Sequence, residues 1–245
     1  MRGSLHFRVL ASAAPRTVRR PPIVLVHGIG MSHRYLSRLH DALASDGTVV
    51  SIDLPGYAGL PKPDHDVDVD EMATELAAVV DELGLGPAVL VGHSMGAQWV
   101  VEAARRRPEL ISLVVVIGPV ADDRRRTFPA QAAALAVDTL REPPGANLIV
   151  FTDYLRCGVP YYLAQLRHML RYPIEERVGD LAPPLLIIRG ERDPVAGLTW
   201  CRRLAERAGD APVVIIPGRP HVAQHGSPRA VASAIRVHSG AGVSV

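Results

Sequence analysis

Seven short runs rich in Val, Ile and Leu recur along the chain: Leu5 to Leu10, Ile23 to Val26, Thr48 to Ile52, Ala88 to Val91, Leu113 to Ile117, Leu185 to Ile188 and Val213 to Ile216. Most are apolar without alternation, as strands covered on both faces are, and helical patterns separate them. The arrangement predicts a mostly parallel sheet with helices packed on its two sides. Asp70 to Leu83 shows how such a helix is written. Met72, Leu76, Val79, Val80 and Leu83 fall on one stripe, Asp68 and Glu71 stand at N-cap and N3 spacing, and Gly84 is a stop.

After Pro119 the alternation breaks, and no strand candidate returns until Leu185. Long structureless loops are rare in compact domains, so the interval reads as a helical excursion over one end of the sheet. Its helical stretches are Pro129 to Leu140 and Tyr161 to Leu170, separated by Pro143-Pro144 and Gly158. Ser239 to Val245 reads as a loose tail. A chain of 245 residues still suits one principal domain, since α/β proteins of about 200–250 residues commonly form one. A core of that size needs no disulfide staples, so Cys157 and Cys201 need not pair.

Composition narrows the chemistry. The 21 glycines and 21 prolines, about 17% together, lie below the roughly 25–30% of low-complexity chains. With 27 basic and 25 acidic residues the formal charge is +2, too weak a field to argue for nucleic acid or an acidic membrane as partner. Lys62 is the sole lysine and lies between prolines, which argues against Schiff-base chemistry and the phosphate-binding lysine of an NTPase loop. The richest apolar run, Leu113 to Ile117, is stopped by Gly118 and Pro119, far short of the ~18 residues of a membrane span. Arg2 and Ala11-Ser12-Ala13 faintly suggest an export signal, but His6 and Arg8 interrupt the apolar region it requires. The expectation is a soluble, cytoplasmic protein.

The most informative stretch is Ala88-Val89-Leu90-Val91-Gly92-His93-Ser94-Met95-Gly96, followed by the helical Ala97 to Arg107. A strand, G-x-S-x-G and a helix stand in that order. A sharp strand-to-helix turn needs small flanking residues, and it exposes the Ser94 hydroxyl above the sheet end, at a helix N-terminus that favours developing negative charge. Upstream, the strand Ile23 to Val26 runs into His27-Gly28-Ile29-Gly30. A loop there can aim the Ile29 N–H at the same oxygen as the Met95 N–H. The His27 side chain reads as a loop-holding hydrogen-bonding residue.

A nucleophilic serine needs a base, and the base needs an orienting acid. Leu185 to Ile188 leads into Arg189-Gly190-Glu191-Arg192-Asp193-Pro194, and Val213 to Ile216 leads into Pro217-Gly218-Arg219-Pro220-His221. The chain order is Ser94, Asp193, His221. Asp122 and Asp123, after the strand ending at Ile117, are rivals for the acid, and Glu191 stands two residues early. His225 is the rival base, one helical turn beyond His221. His93 reads as a structural neighbour, because adjacent side chains at such a turn point apart.

H-G-x-G, G-H-S-M-G, G-E-R-D-P and the late P-x-x-x-H, each after a strand, together resemble the α/β-hydrolase superfamily over nearly the whole chain. The resemblance implies an α/β-hydrolase fold, with a mostly parallel central sheet flanked by helices. Residues 1–120 and 183–245 would form the core and 121–182 a helical lid. It further implies hydrolysis of a carboxylic ester or related acyl compound by a Ser94, Asp193, His221 triad, with the Ile29 and Met95 amides as oxyanion donors and no metal or organic cofactor. Serine-triad relatives also include thioesterases, acyltransferases, carbon–carbon bond hydrolases, perhydrolases and lyases, while dehalogenases and epoxide hydrolases carry aspartate at the turn. A noncatalytic ligand-binding protein on this fold is the reading of a different class. Partners would be small acyl molecules. Within the lid, Phe128, Leu135, Phe151, Tyr154, Tyr161, Tyr162 and Leu166 are the candidates to bury an apolar substrate group.

Asp64 to Asp70, with Glu75 at the twelfth position, superficially matches a calcium loop. Val69 occupies the position where such a loop requires Gly, so a solvated acidic loop leading into a helix is expected instead. Arg105 to Arg107 suits a helix C-terminus, and Arg124 to Arg126 a solvated face.

Overall fold

The computed structural model describes residues 5–13, 20–45, 47–142 and 144–240. Arg2, Pro143 and residues 241–245 of the expected tail fall outside them, whereas Ser239 and Gly240 end a helix. The strands are β1 (Arg8–Ser12), β2 (Ile23–Val26), β3 (Val49–Asp53), β4 (Ala88–His93), β5 (Ile111–Ile117), β6 (Leu185–Gly190) and β7 (Val213–Ile216). They form one sheet in the order β1-β3-β2-β4-β5-β6-β7. Only β1 is antiparallel, with Leu10 opposite Ser51; all other pairings are parallel. The first strand thus begins at Arg8 rather than Leu5, and takes in Ala11 and Ser12 of the supposed export signal.

The helices are α1 (Ser37–Ala44), α2 (Val69–Glu82), α3 (Gly96–Arg106), α4 (Phe128–Thr139), α5 (Pro144–Cys157), α6 (Val159–Arg171), α7 (Ile174–Arg177), α8 (Leu198–Arg207), α9 (Ala223–Gly226) and α10 (Pro228–Gly240). Side chains alternate faces along a strand, and here both faces are dry. Val24, Val26, Leu90, Val114, Val116 and Ile187 meet Met72 and Leu76 of α2, Trp99 and Val100 of α3, and Trp200 and Leu204 of α8. Leu25, Val89, Val91, Val115, Leu186 and Ile188 meet Leu39 and Leu43 of α1 and Val231 and Ile235 of α10. This explains the unalternated strand runs. Asp68 caps α2, its side chain accepting from the Glu71 N–H at 2.9 Å.

Between β5 and β6 lies a helical excursion comprising α4 to α7. Its second helix, α5, occupies the interval where Pro143-Pro144 suggests a break. Pro144 starts it, because proline is well tolerated in a helix's first turn, where its missing N–H has no intrahelical partner. Asp153 of α5 accepts from Ser32 Oγ at 2.5 Å and from Arg34 at 3.2 Å. Tyr161 of α6 donates to the Pro55 carbonyl at 2.7 Å, and Gln165 to that of Val67 at 2.8 Å. Among the described residues no helix is long and apolar enough to cross a membrane. Both cysteines are free and buried.

Candidate active site

The turn after β4 is built by close backbone approach. A Cβ on Gly92 would lie 2.3 Å from the Gly96 carbonyl oxygen, and one on Gly96 would lie 2.5 Å from that of His27. Only glycine fits at either place. Between them Ser94 takes φ of 55°, a left-handed conformation that costs a non-glycine residue of order 1–3 kcal/mol and so needs support from its surroundings. Part of that support is the Ser94 N–H, which donates to the Ile117 carbonyl at 2.9 Å. Ser94 lies at the mouth of α3, where the sequence pattern put it.

Asp193 and His221 come together from the loops after β6 and β7. His221 Nδ1 is 2.9 Å from Asp193 Oδ2, and the other oxygen of Asp193 accepts from the Val195 and Ala196 N–H groups at 2.8 and 2.9 Å. Burial opposes the charge of Asp193, but His221 and these two amides hold its carboxyl below the usual range. Burial also opposes the imidazolium, yet Asp193, with Asp138 and Glu142, raises the pKa of His221 to about 9. The pair sits against bare backbone: a Cβ on Gly118 would lie 2.8 Å from His221 Cε1. Among the described residues, the buried Nε2 of His221 has no hydrogen-bond partner.

Ser94 and His221 line one cavity of about 110 Å³ together with Gly28, Ile29, Tyr154 and Tyr162. Among the described residues, neither the Ile29 nor the Met95 N–H has a backbone acceptor. His27 holds the loop as expected: Nδ1–H donates to the Gly28 carbonyl at 2.8 Å, and Nε2 accepts from the Leu54 N–H at 3.0 Å. Burial keeps it neutral by lowering its pKa.

The rivals are engaged elsewhere. Asp122 and Asp123 pair with Arg203 at 2.7 and 2.5 Å, and Glu191 accepts from the Gly218 N–H. His225 contacts the Tyr35 carbonyl at 3.3 Å. The apolar and aromatic candidates between β5 and β6 divide. Tyr154, Tyr162 and Leu135 line the cavity. Phe128 and Phe151 do not, being 53% and 61% exposed, because Phe151 lies on the outward stripe of α5 with Leu148 and Leu155. Tyr161 packs edge-on against Tyr57, and Leu166 is in the core.

Several contributors escaped the sequence reading. The Tyr35 hydroxyl accepts from the Gly28 N–H at 2.8 Å and donates to His93 Nδ1 at 2.7 Å, while His93 Nε2–H donates to the His221 carbonyl at 3.1 Å. One chain of hydrogen bonds thus joins the H-G-x-G loop, the serine turn and the histidine loop. Burial, reinforced by His221, pushes His93 down to about 3, so it serves here as a neutral ring. Arg189, buried at the end of β6, donates to the carbonyls of Ala196, Glu191 and Asp193 and shapes the acid's loop. From the excursion between β5 and β6, Asp138 accepts from the His221 N–H and Glu142 from the Val222 N–H, both at 2.8 Å. Their only sequence signal is two acids one helical turn apart beyond an alanine-rich stretch. Among the described residues no group of three or more His, Cys, Asp or Glu could hold a metal ion.

A seven-stranded, mostly parallel sheet with a serine turn after β4 and loops carrying Asp and His after later strands defines the α/β-hydrolase class. The chain belongs to the alpha/beta hydrolase family, whose model matches residues 23–234. It is 25% identical to 2-(acetamidomethylene)succinate hydrolase of Mesorhizobium japonicum, over 88% of this chain and 86% of that one. To esterase YbfF of Escherichia coli it is 27% identical over 95% of this chain and 98% of the other. A thermophilic esterase from Thermogutta terrifontis superposes with a TM-score of 0.81 at 20% identity, covering 98% and 95% of the two chains.

Proposed function

We propose that the protein hydrolyses carboxylic esters or closely related acyl compounds through a covalent acyl-Ser94 intermediate. The observation that carries this reading is the unpartnered, buried Nε2 of His221 in the cavity that Ser94 also lines. Its Nδ1 is bound by Asp193 at 2.9 Å. His221 Nε2 takes the Ser94 proton as Oγ bonds to the acyl carbon, and the Ile29 and Met95 N–H groups stabilise the resulting oxyanion. Collapse expels the alcohol, which leaves with the proton from His221. Water then loses a proton to His221 and attacks the acyl carbon; the acid departs and Ser94 regains its proton. Asp193 keeps the imidazole in the tautomer this cycle requires and stabilises its cation. The likeness to esterase YbfF supports the same reaction class.

The test is labelling with an alkyl fluorophosphonate, read by intact mass, alongside ester turnover. Wild type should gain one adduct at Ser94. Ser94→Ala should gain none and keep only a residual acceleration, of the order of 10³–10⁴ over water. Normal turnover by the alanine variant overturns the mechanism, and absence of both adduct and turnover in wild type favours a noncatalytic binding protein.

A further inference from the structure

The cavity wall opposite the sheet carries an unexpected charge. Asp138 and Glu142 both line it, and they are only 5% and 8% exposed. On α4 the buried residues are Gln131 and Asp138 rather than apolar ones, since that face looks into the cavity. Each carboxylate spends one oxygen on a backbone N–H of the His221 loop. Among the described residues no arginine or lysine lines the cavity. Its remaining titratable lining residues are Tyr35, His93, Tyr154, Tyr162 and His221. His93 is neutral, and any positive charge on His221 is already balanced by Asp193. The rest of the wall is largely apolar, with Ile29, Met31, Val120, Leu135, Val150 and Met169.

We propose that Asp138 and Glu142 make this site selective for uncharged acyl compounds and exclude those with a carboxylate close to the scissile carbonyl. The proposal rests on the acyl-Ser94 reading and adds the substrate's charge class. A substrate carboxylate entering here loses its water, finds no arginine or lysine among the described lining residues and only an imidazole already paired with Asp193, and faces two like charges in a low-dielectric enclosure. An uncharged chain meets the apolar wall and suffers none of these costs. Specificity of this kind comes from a built-in repulsion rather than from an added contact. The unpartnered Nε2 of His221 in the same cavity marks it as the place where the reacting group must sit.

The experiment uses two fluorophosphonates of equal chain length, one ending in a carboxamide and the other in a carboxylate. Second-order labelling rates at Ser94 are read by intact mass. Burial raises the Glu142 carboxyl to about 7, so the rates are read well above neutrality. Wild type should react with the neutral probe about tenfold or more faster than with the anionic one. In the Asp138→Asn, Glu142→Gln double variant the amide oxygens can still accept the two backbone N–H groups while the charges are gone. There the ratio should fall toward one, and Glu142→Gln alone should give part of the fall. Because the readout is a ratio within one variant, a change in overall rate does not enter it. Equal rates in wild type, or a faster anionic probe, overturn the charge selection and leave the serine reading standing. An undiminished ratio in a variant still labelled by the neutral probe overturns the assignment to these carboxylates. No labelling of Ser94 by either probe overturns both readings.

Discussion

His221 is the residue on which the proposed chemistry turns, and its ionisation can be followed. A base must be neutral to accept a proton, so kcat/KM for a neutral ester should fall as pH drops through a value near 9, where Asp193, Asp138 and Glu142 have raised His221 against burial. Asp193→Asn removes the largest of these raising influences. The acidic limb of the pH–rate profile should then move to lower pH, while the plateau falls by about 10⁴ as the tautomer and cation lose their partner. A limb that stays in place after this substitution argues that another acid orients His221. Asp122→Asn serves as the control, since Asp122 is held by Arg203 and should change neither limb nor plateau appreciably.

At the scale of elements, α5 has two unlike faces, and substitutions along it should separate them. Tyr154 faces the cavity beside Tyr162, their ring centroids 5.2 Å apart, whereas Phe151 one turn earlier is 61% exposed. Tyr154→Ala enlarges the apolar wall and should shift the preferred acyl length; a methylene in such a pocket changes discrimination by only about 1–3 kcal/mol, so turnover should survive. Phe151→Ala should leave the length profile as it is. The check is kcat/KM across an ester series, and a shifted profile for Phe151→Ala with none for Tyr154→Ala would reverse the two assignments. The sequence placed aromatic residues in this segment, but not which of them face inward. That depends on α5 being a helix at all, whereas Pro143-Pro144 in the sequence suggests a break.

At the scale of the whole molecule, the excursion between β5 and β6 is held to the sheet's loops by buried polar contacts as well as by apolar residues, Leu166, Met169 and Ile174 among them, that join the sheet's core. Asp153 is 1% exposed and accepts from Ser32, itself fully buried. Asp153→Ala leaves that buried hydroxyl without its acceptor, which costs about 1–3 kcal/mol, while Arg34 keeps its bond to Thr152. Thermal unfolding should occur at lower temperature, and hydrogen exchange in α5 should quicken well before exchange in α2 and α3, which lie against the sheet. Equal acceleration in all three helices would show that the excursion and the sheet open as one unit. The amino-acid sequence by itself determined the parallel sheet, the serine turn and the chain order Ser94, Asp193, His221, because each is encoded locally. Apolar runs without alternation record two covered faces, and Gly92 and Gly96 record a backbone approach within a few residues. Only the tertiary structure decided that Tyr35 and His93 bridge three loops, that Arg189 shapes the acid's loop, and that Asp138 and Glu142 reach the histidine loop from the excursion between β5 and β6. These are contacts between residues far apart in the chain, and a buried acid becomes distinguishable from a solvated one only when the surface that covers it is in place.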